Sequence, residues 1–349
     1  MKKIVAVLLP LAIFLIVFFY TAIPFNFDGF ISPVPEYVPA GNRPPEFGAW
    51  LAYWDEDLAI ENLTLGLPVQ SISPVWYVLD GTAALTQSPH QKGSEIIALA
   101  KKNTVQITPT IFNDFDGERV ANLIGDKAKI ADFLDTLITI IDDHDFAGID
   151  LDLEVIEEDD KLAFSRLVDA VGQLVHQKGK LLSVTVHAKA GKNDWPGSLG
   201  QDWQEISKYA DRVRIMVYDY HNSKTEPGSI SPIDYLEDVV DYAVSQIPLA
   251  KIVIALPLYG YDWSQEKDVI PLTYEAISSM VNKNRIEVQL EKQSFSKHFD
   301  YQQDGVGHEV WFEDAQTLEQ KIRLVQSKGI NKFYFWKLGG EDKRVWEIK

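Results

Sequence analysis

The chain has 349 residues and a formal net charge of -18, so nucleic acid is not expected as a partner and a neutral ligand suits its surface better. Hydrophobic residues make up 46% of the chain, which is ample for a sizeable core and excludes an intrinsically disordered protein. There is no cysteine, which excludes disulfides and thiolate chemistry. These properties indicate a globular protein of one large domain or two.

The amino terminus predicts a membrane segment. Lys2 and Lys3 precede an apolar run over residues 4–25, which is long enough to cross a bilayer and longer than the core of a usual signal peptide. No small-x-small cleavage site follows the run. We therefore expect an uncleaved signal anchor over residues 1–27 and an extracytoplasmic position for the remainder of the chain. A cleaved signal peptide, which would give a secreted protein, is the alternative.

Residues 28–47 predict an extended spacer between this anchor and the folded domain. The stretch has little periodic hydrophobicity and carries Pro33, Pro35, Pro39, Pro44 and Pro45. The folded domain is expected to cover residues 48–349.

Eight β-rich segments then alternate with helical patterns. They cover residues 49–54, 70–78, 105–111, 146–154, 181–188, 213–218, 252–259 and 332–338. Eight strands alternating with helices over about 250 to 300 residues predict a (β/α)8 TIM barrel, with an open doubly wound sheet as the alternative. In such a barrel the catalytic groups stand at the carboxyl ends of the strands.

The segment between the seventh and eighth strands is longer than one helix needs. Residues 286–290, 297–302 and 308–313 have strand-like patterns, and a turn at 303–305 separates the last two. We expect a small α+β insertion over about residues 264–315. It would stand beside the carboxyl ends of the barrel strands, where it is placed to wall a substrate cleft.

The fourth predicted strand, FAGIDLDLE at residues 146–154, carries three carboxylates on one face. Successive side chains of a strand alternate in direction, so Asp150, Asp152 and Glu154 form one row and the apolar residues 149, 151 and 153 form the other. Carboxylates roughly 6 to 7 Å apart resist simultaneous ionisation, which predicts a raised pKa within the row. A carboxyl group that stays protonated near neutrality is what a general acid requires.

Two other interpretations of this row are a solvated face of an edge strand and a set of calcium ligands. Helical periodicity on both sides of the strand favours a parallel strand inside an α/β fold. Glu154 would then stand at the end of its strand, on the catalytic face of the barrel.

This stretch resembles the strand-four signature of family 18 glycoside hydrolases, Asp-Gly-x-Asp-x-Asp-x-Glu, except that Ala147 replaces the first aspartate. The motifs MVYD at 216–219, LPLYG at 256–260 and FW at 335–336 resemble strands six, seven and eight of the same family. The motifs AWLAYW at 49–54, VHAK at 186–189, HEVWFED at 308–314 and WKLGGED at 336–342 resemble its bacterial spore-germination and cortex-lytic branch.

The resemblance implies a retaining hydrolase in which the substrate's own acetamido group attacks the anomeric carbon. Glu154 would be the acid, Asp152 would orient the acetamido N–H, Asp150 would support Asp152, and the Tyr218 hydroxyl would hold the acetamido oxygen. Further residues implied to bind substrate are Asp219, Trp336, Tyr259, Met216 and Tyr53. Ala147 would remove one negative charge from the row and weaken activity or shift its pH optimum.

The implied substrates are β-1,4-linked glycans that contain N-acetylglucosamine, either peptidoglycan and cortex material or chitin. The alternative function is a non-catalytic glycan-binding protein on the same barrel. We expect a structural role for His187 and Lys189, no metal because no His-Glu-x-x-His or similar spacing occurs, no cofactor, and a monomer. Trp263 and Trp311 would either line a cleft or pack the insertion onto the barrel.

Overall fold

Eight parallel strands form the centre of the fold in this computed structural model, which describes residues 44–89, 91–192, 194–266 and 268–349. Together with the strands outside this centre, the described residues form, in chain order, β1 (Glu46–Leu51), β2 (Ser71–Leu79), β3 (Leu85–Gln87), β4 (Gln106–Ile107), β5 (Thr110–Phe112), β6 (Gly148–Asp152), β7 (Leu181–His187), β8 (Arg212–Met216), β9 (Ile252–Pro257), β10 (Tyr259–Ser264), β11 (Val269–Thr273), β12 (Gln289–Glu291), β13 (Ser296–Gln303), β14 (Val306–Phe312) and β15 (Lys332–Trp336). The helices are α1 (Glu56–Leu65), α2 (Gly93–Lys102), α3 (Gly117–Ile124), α4 (Lys127–His144), α5 (Lys161–Gln177), α6 (Trp203–Tyr209), α7 (Ile233–Gln246), α8 (Tyr274–Asn284) and α9 (Ala315–Ser327).

The parallel strands close into a barrel. Pairing runs in the order β1, β2, β5, β6, β7, β8, β9 and β15, and β15 pairs with β1 to complete the ring. Helices follow the strands on the outside. The predicted (β/α)8 barrel is therefore confirmed over the open doubly wound sheet, which would leave two free edges.

All eight predicted strands are present, but their bounds differ locally. The third is divided into β4 and β5 by the segment around Pro109, whose ring nitrogen has no hydrogen to donate to a ladder. The fourth ends at Asp152 rather than at Glu154. The backbone of Glu154 bonds to the side chain of Asn113 instead of to a neighbouring strand, and Val155 has a left-handed φ of 60°.

The barrel has two apolar layers. Strand faces at residues such as Ile149 and Leu151 pack against the surrounding helices in the larger core. A smaller cluster fills the interior and consists of Trp50, Val75, Val253, Ala255 and Tyr334. The interior also contains buried polar residues, which the candidate site uses.

The insertion is a five-stranded antiparallel sheet in the order β11, β10, β14, β13 and β12, with α8 packed on one face. It begins at Tyr259 rather than at residue 264, because the chain leaves the barrel after Pro257 and pairs with β14. The predicted strand over 252–259 therefore covers β9 of the barrel and the first residue of β10 in the insertion. A fully buried ion pair between Glu313 and Lys321 connects the end of the insertion to α9.

The predicted anchor and most of the predicted spacer lie outside the described residues. At the spacer's end, β1 begins at Glu46, so residues 46 and 47 belong to the barrel. Among the described residues, no helix combines the length and the hydropathy needed to cross a membrane.

Candidate active site

Asp150 occupies the lower position of the carboxylate row and is fully enclosed in the barrel. Its Oδ2 accepts hydrogen bonds from Trp50 Nε1 at 3.0 Å and from Thr110 Oγ1 at 2.9 Å. Its Oδ1 accepts one from Thr185 Oγ1 at 3.1 Å. Nη1 of Arg214 lies 2.9 Å from Oδ2 as well. Both oxygens therefore have donors, and the contact with the arginine is a charge-assisted one.

Arg214 is itself fully buried, and its surroundings hold the guanidinium in place. It donates to Ser73 Oγ at 2.8 Å and to Thr108 Oγ1 at 3.2 Å. Its central carbon lies 3.7 Å from the centroid of the Tyr334 ring, which is a cation–π arrangement. The base of the barrel interior is therefore a rigid, nearly saturated polar network.

Asp152 is buried above this network, and its Oδ1 has no hydrogen-bond partner among the described residues. Burial raises the pKa of the Asp152 carboxyl well above its usual range, and the negative charges of Glu154 and Asp150 add to this, whereas Arg214 opposes it. The raised pKa that the sequence predicts within the row is found at this residue.

Glu154 follows β6, and two buried amide side chains fix its backbone. The side chain of Asn113 accepts from the Glu154 N–H at 2.8 Å and donates to its carbonyl at 2.9 Å. Gln201 donates to the carbonyl of Leu153 at 3.1 Å. The Glu154 side chain is only slightly exposed, and its Oε2 lies 3.0 Å from Nε2 of His187. Glu154 therefore stands at the carboxyl end of the barrel, as predicted.

Tyr218 and Asp219 follow β8 on the same face of the barrel. Burial and the charges of Asp152, Glu154, Asp219 and Asp150 raise the pKa of Tyr218 well above its usual range, so its hydroxyl remains a neutral donor.

Asp219 has a left-handed φ of 57° and is exposed to solvent. The groups packed around its carboxyl nevertheless raise its pKa by desolvation. Its Oδ1 accepts from the hydroxyls of Tyr259 and, at 3.2 Å, Tyr261. The predicted binding residues Asp219 and Tyr259 thus form one hydrogen-bonded group, which the insertion completes through Tyr261.

Trp336 ends β15 and is half-buried beside the interior cluster. Its ring lies 6.1 Å from that of Trp50 and 6.4 Å from that of Trp54, centroid to centroid. Trp54 is 56% exposed, whereas Tyr53 packs against the larger, helix-facing core. Tyr53 is the residue that the resemblance implies to bind substrate, but its neighbour Trp54 is the one placed to extend the aromatic surface around Trp336.

Met216 ends β8 and is buried beside His187, its register partner on β7. Ala147 extends the ladder before β6, because its N–H donates to the Ile107 carbonyl and its carbonyl accepts from Leu181. It is out of phase with Asp150, so strand alternation assigns position 147 to the helix-facing side. Strand alternation therefore argues against a loss of charge from the interior row, and the expected effect of Ala147 on activity stays a prediction.

Sequence reasoning missed three features of this site. A signal for Arg214 was present, because a charged residue alternating with Met216 in an apolar strand needs a buried partner. The hydrogen bonds from the Asn113 and Gln201 side chains left no such signal, since loop geometry brings Asn113 to Glu154 and Gln201 to Leu153. The sequence predicts a structural role for His187, whereas in the structure its Nε2 lies 3.0 Å from Oε2 of Glu154.

The arrangement combines an acid at the rim, a buried carboxyl with an open acceptor, a neutral tyrosine donor and a surface of aromatic rings. Among the described residues, no group of three or more His, Asp or Glu side chains is placed to hold a metal ion. Such a site suits acid-assisted cleavage of a bond next to a group that carries its own hydrogen-bond donor and acceptor.

The family model described as "Glycosyl hydrolases family 18" matches residues 53–341. The chain is 30% identical over 266 residues to the "uncharacterized glycosylase YvbX" of Bacillus subtilis strain 168, and the aligned region covers 72% of this chain and 76% of that protein. It is 28% identical over 243 residues to the cortical fragment-lytic enzyme of Bacillus anthracis, covering 67% of this chain but only 56% of that enzyme. The crystal structure of the Bacillus cereus spore cortex-lytic enzyme SleL has a TM-score of 0.80 and 23% identity, over 89% of this chain and 75% of that one.

Proposed function

Because this chain belongs to family 18 of the glycosyl hydrolases and is a glycoside hydrolase, we propose that it cleaves β-1,4-linked glycans containing N-acetylglucosamine, with retention of configuration. The observation that carries this proposal is the open Oδ1 of Asp152, which is buried beside Glu154. An unpaired buried acceptor costs about 1–3 kcal/mol, and an acetamido N–H entering the cleft would satisfy it.

Glu154 supplies the proton in the first step. Its carboxyl group donates a proton to the glycosidic oxygen, the bond from that oxygen to the anomeric carbon breaks, and the substrate's acetamido oxygen bonds to the same carbon. Asp152 orients the acetamido N–H through Oδ1 and stabilises the positive charge of the resulting oxazolinium ion. The neutral hydroxyl of Tyr218 donates to the acetamido oxygen. Water then attacks the anomeric carbon, the bond from that carbon to the acetamido oxygen breaks, and one proton of the water passes to Glu154.

Asp150 takes no proton in this scheme. Arg214 and three neutral donors hold its carboxyl group in place, so Asp150 supports Asp152 from below. The group around Asp219, with Tyr259 and Tyr261, forms the wall of the cleft on the insertion side. Trp336 and Trp54 offer aromatic faces that suit the C–H faces of pyranose rings.

Peptidoglycan or spore-cortex material is the proposed substrate class, in preference to chitin. The names of the cortical fragment-lytic relative and of SleL support this choice. The apolar run after Lys2 and Lys3 supports an enzyme anchored with its barrel outside the membrane, or secreted if that segment is cleaved. The alternative function on the same barrel is glycan binding without turnover.

The test incubates the full chain separately with chitooligosaccharides, purified peptidoglycan and spore-cortex fragments, and identifies new reducing ends by mass spectrometry. Glu154→Gln is expected to lower turnover by roughly 10²–10⁴-fold, because the general acid is lost. Glu157→Gln is the matched control, since it makes the same change at a nearby exposed side chain. Equal turnover by the Glu154 variant and the wild type would disprove the mechanism. Glycan binding without any product from the wild type would support the alternative function.

A further inference from the structure

His187 is the last residue of β7, the barrel strand that neighbours β6. Its Nε2 lies 3.0 Å from Oε2 of Glu154, and its side chain is 21% exposed. The two side chains therefore meet at the carboxyl end of the barrel, where each is only partly exposed.

The barrel backbone fixes the distance between these two residues. Gln201, which is fully buried, accepts from the His187 N–H at 2.8 Å and donates to the Leu153 carbonyl at 3.1 Å. Asn113 binds both backbone polar groups of Glu154 from the other side. A single glutamine thus connects the ends of β6 and β7, so the contact between His187 and Glu154 is built into the scaffold.

The imidazole ring is also confined from above. Its centroid lies 4.7 Å from that of Trp195, with the two planes at 73°. The Trp195 ring in turn covers Gly197, where a Cβ atom would come within 2.3 Å of the indole. Any larger residue at position 197 would displace this ring. The histidine is therefore held between an aromatic wall and the carboxyl group of Glu154.

The carboxyl group of Glu154 needs such a partner if it is to keep one orientation. The terminal torsion of a glutamate is broad and roughly two-fold, so an unrestrained carboxyl exchanges its two oxygens. Asp150 is occupied by Arg214 and three other donors, and Asp152 is a second acidic group close by. In the described part of the chain, the His187 ring nitrogen is the basic group in contact with Glu154.

We propose that His187 is a positioning residue for Glu154, an inference that rests on the proposed hydrolysis. Nε2–H of His187 donates to Oε2, which leaves the acid proton on Oε1, facing the glycosidic oxygen of a bound glycan. The Nε2 and Oε2 atoms are close but not in line for a hydrogen bond here, and a small rotation of the carboxyl group aligns them when substrate binds.

The proton balance needs no change in the charge of the imidazole. Glu154 gives its Oε1 proton to the leaving oxygen and becomes a carboxylate, to which the existing Nε2–H donates a stronger, charge-assisted hydrogen bond. Water opening the oxazolinium ion then returns one proton to Oε1. The other charged groups around the pair are Asp152 on β6, Asp219 after β8, and Asp150 with Arg214 below.

The kinetic test compares His187→Ala and His187→Gln in the full chain. We expect His187→Ala to lower kcat by about 10- to 100-fold with KM within about twofold, and His187→Gln, whose amide N–H replaces Nε2–H, to recover most of kcat. His176→Ala is the matched control, because it removes a histidine that contacts a carboxylate at 2.9 Å on the surface, at Asp211. Wild-type kcat in His187→Ala, or equal losses in the alanine and glutamine variants, would overturn the proposal.

A second measurement does not depend on turnover. The nitrogen resonances of the His187 ring, assigned by their absence in His187→Gln, are compared in the wild type and in Glu154→Gln at the same pH. The Nε2 resonance is expected to shift in Glu154→Gln, because the group that lies 3.0 Å from Nε2 is changed from a carboxyl to an amide. Identical resonances would overturn the pairing. A shifted resonance in a protein that cleaves none of the glycans would support the pairing and refute the proposed hydrolysis instead.

Discussion

The lower and upper parts of the carboxylate row differ in how completely their oxygens are partnered. Asp150, at the bottom, receives three neutral hydrogen bonds and the charge of Arg214. Asp152, the next carboxylate up the same face, has an oxygen with no partner among the described residues and a strongly raised pKa. The same residue type on one strand therefore serves the scaffold in the first position and is left available to a ligand in the second.

The largest expected effect comes from removing the charge partner of Asp150, the lower carboxylate of the row. Arg214→Met leaves the buried Asp150 without its charge partner and is expected to lower the free energy of unfolding by about 3–5 kcal/mol. The double variant Arg214→Met with Asp150→Leu removes both charges and is expected to recover most of that loss. Urea unfolding followed by circular dichroism measures both. A single variant as stable as the wild type would show that this network does not hold the barrel together.

The upper part is expected to respond in activity rather than in stability. Asp152→Asn should lower kcat by roughly 10²–10³-fold, because the group that orients the acetamido N–H and stabilises the oxazolinium charge is altered. The variant should remain folded, since no partner of Asp152 Oδ1 is lost. Steady-state kinetics on a chitooligosaccharide gives the value. If Asp152→Asn keeps the wild-type kcat but has a lower free energy of unfolding, then Asp152 serves stability, and the proposed difference in role between Asp150 and Asp152 is wrong.

The sequence predicts only part of this difference between the lower and upper carboxylates. Alternation over residues 146–154 predicts that the carboxylates share a face, and eight β-rich segments predict the barrel that surrounds them. The partners of each carboxylate depend on contacts between strands distant in the chain. Arg214 meets Asp150 because the ring closes, and Gln201 joins Leu153 to His187 because the loop after β7 folds back.

The boundary of the insertion shows the same limit. Tyr259, Tyr261 and Trp263 alternate as a strand does, but alternation does not state which sheet a strand joins. Pairing with β14 rather than with the barrel decides it, and that pairing brings Tyr261 to Asp219.

The raised pKa of Asp152 predicts a pH dependence of stability. The folded protein keeps a proton on this carboxyl at pH values where the unfolded chain, with an ordinary pKa of about 3.9, has lost it. The contribution of Asp152 to stability therefore falls as pH rises above about 4 and levels off only above its folded-state pKa. Asp152→Asn removes this dependence, so the variant should gain stability relative to the wild type over that range. Parallel unfolding curves for the two proteins at every pH would contradict the raised pKa.

The smallest expected effect concerns the rim above the row. Trp54 is 56% exposed and contacts Trp336, so Trp54→Ala should remove a face on which a sugar ring packs. A loss of about 1 kcal/mol, typical of one aromatic contact, corresponds to about a fivefold rise in KM with little change in kcat. Leu65→Ala is the control, since it shortens an equally exposed apolar side chain at the end of α1. An unchanged KM for long glycans in Trp54→Ala would exclude Trp54 from the sugar-binding surface and would leave Trp336 as its aromatic part.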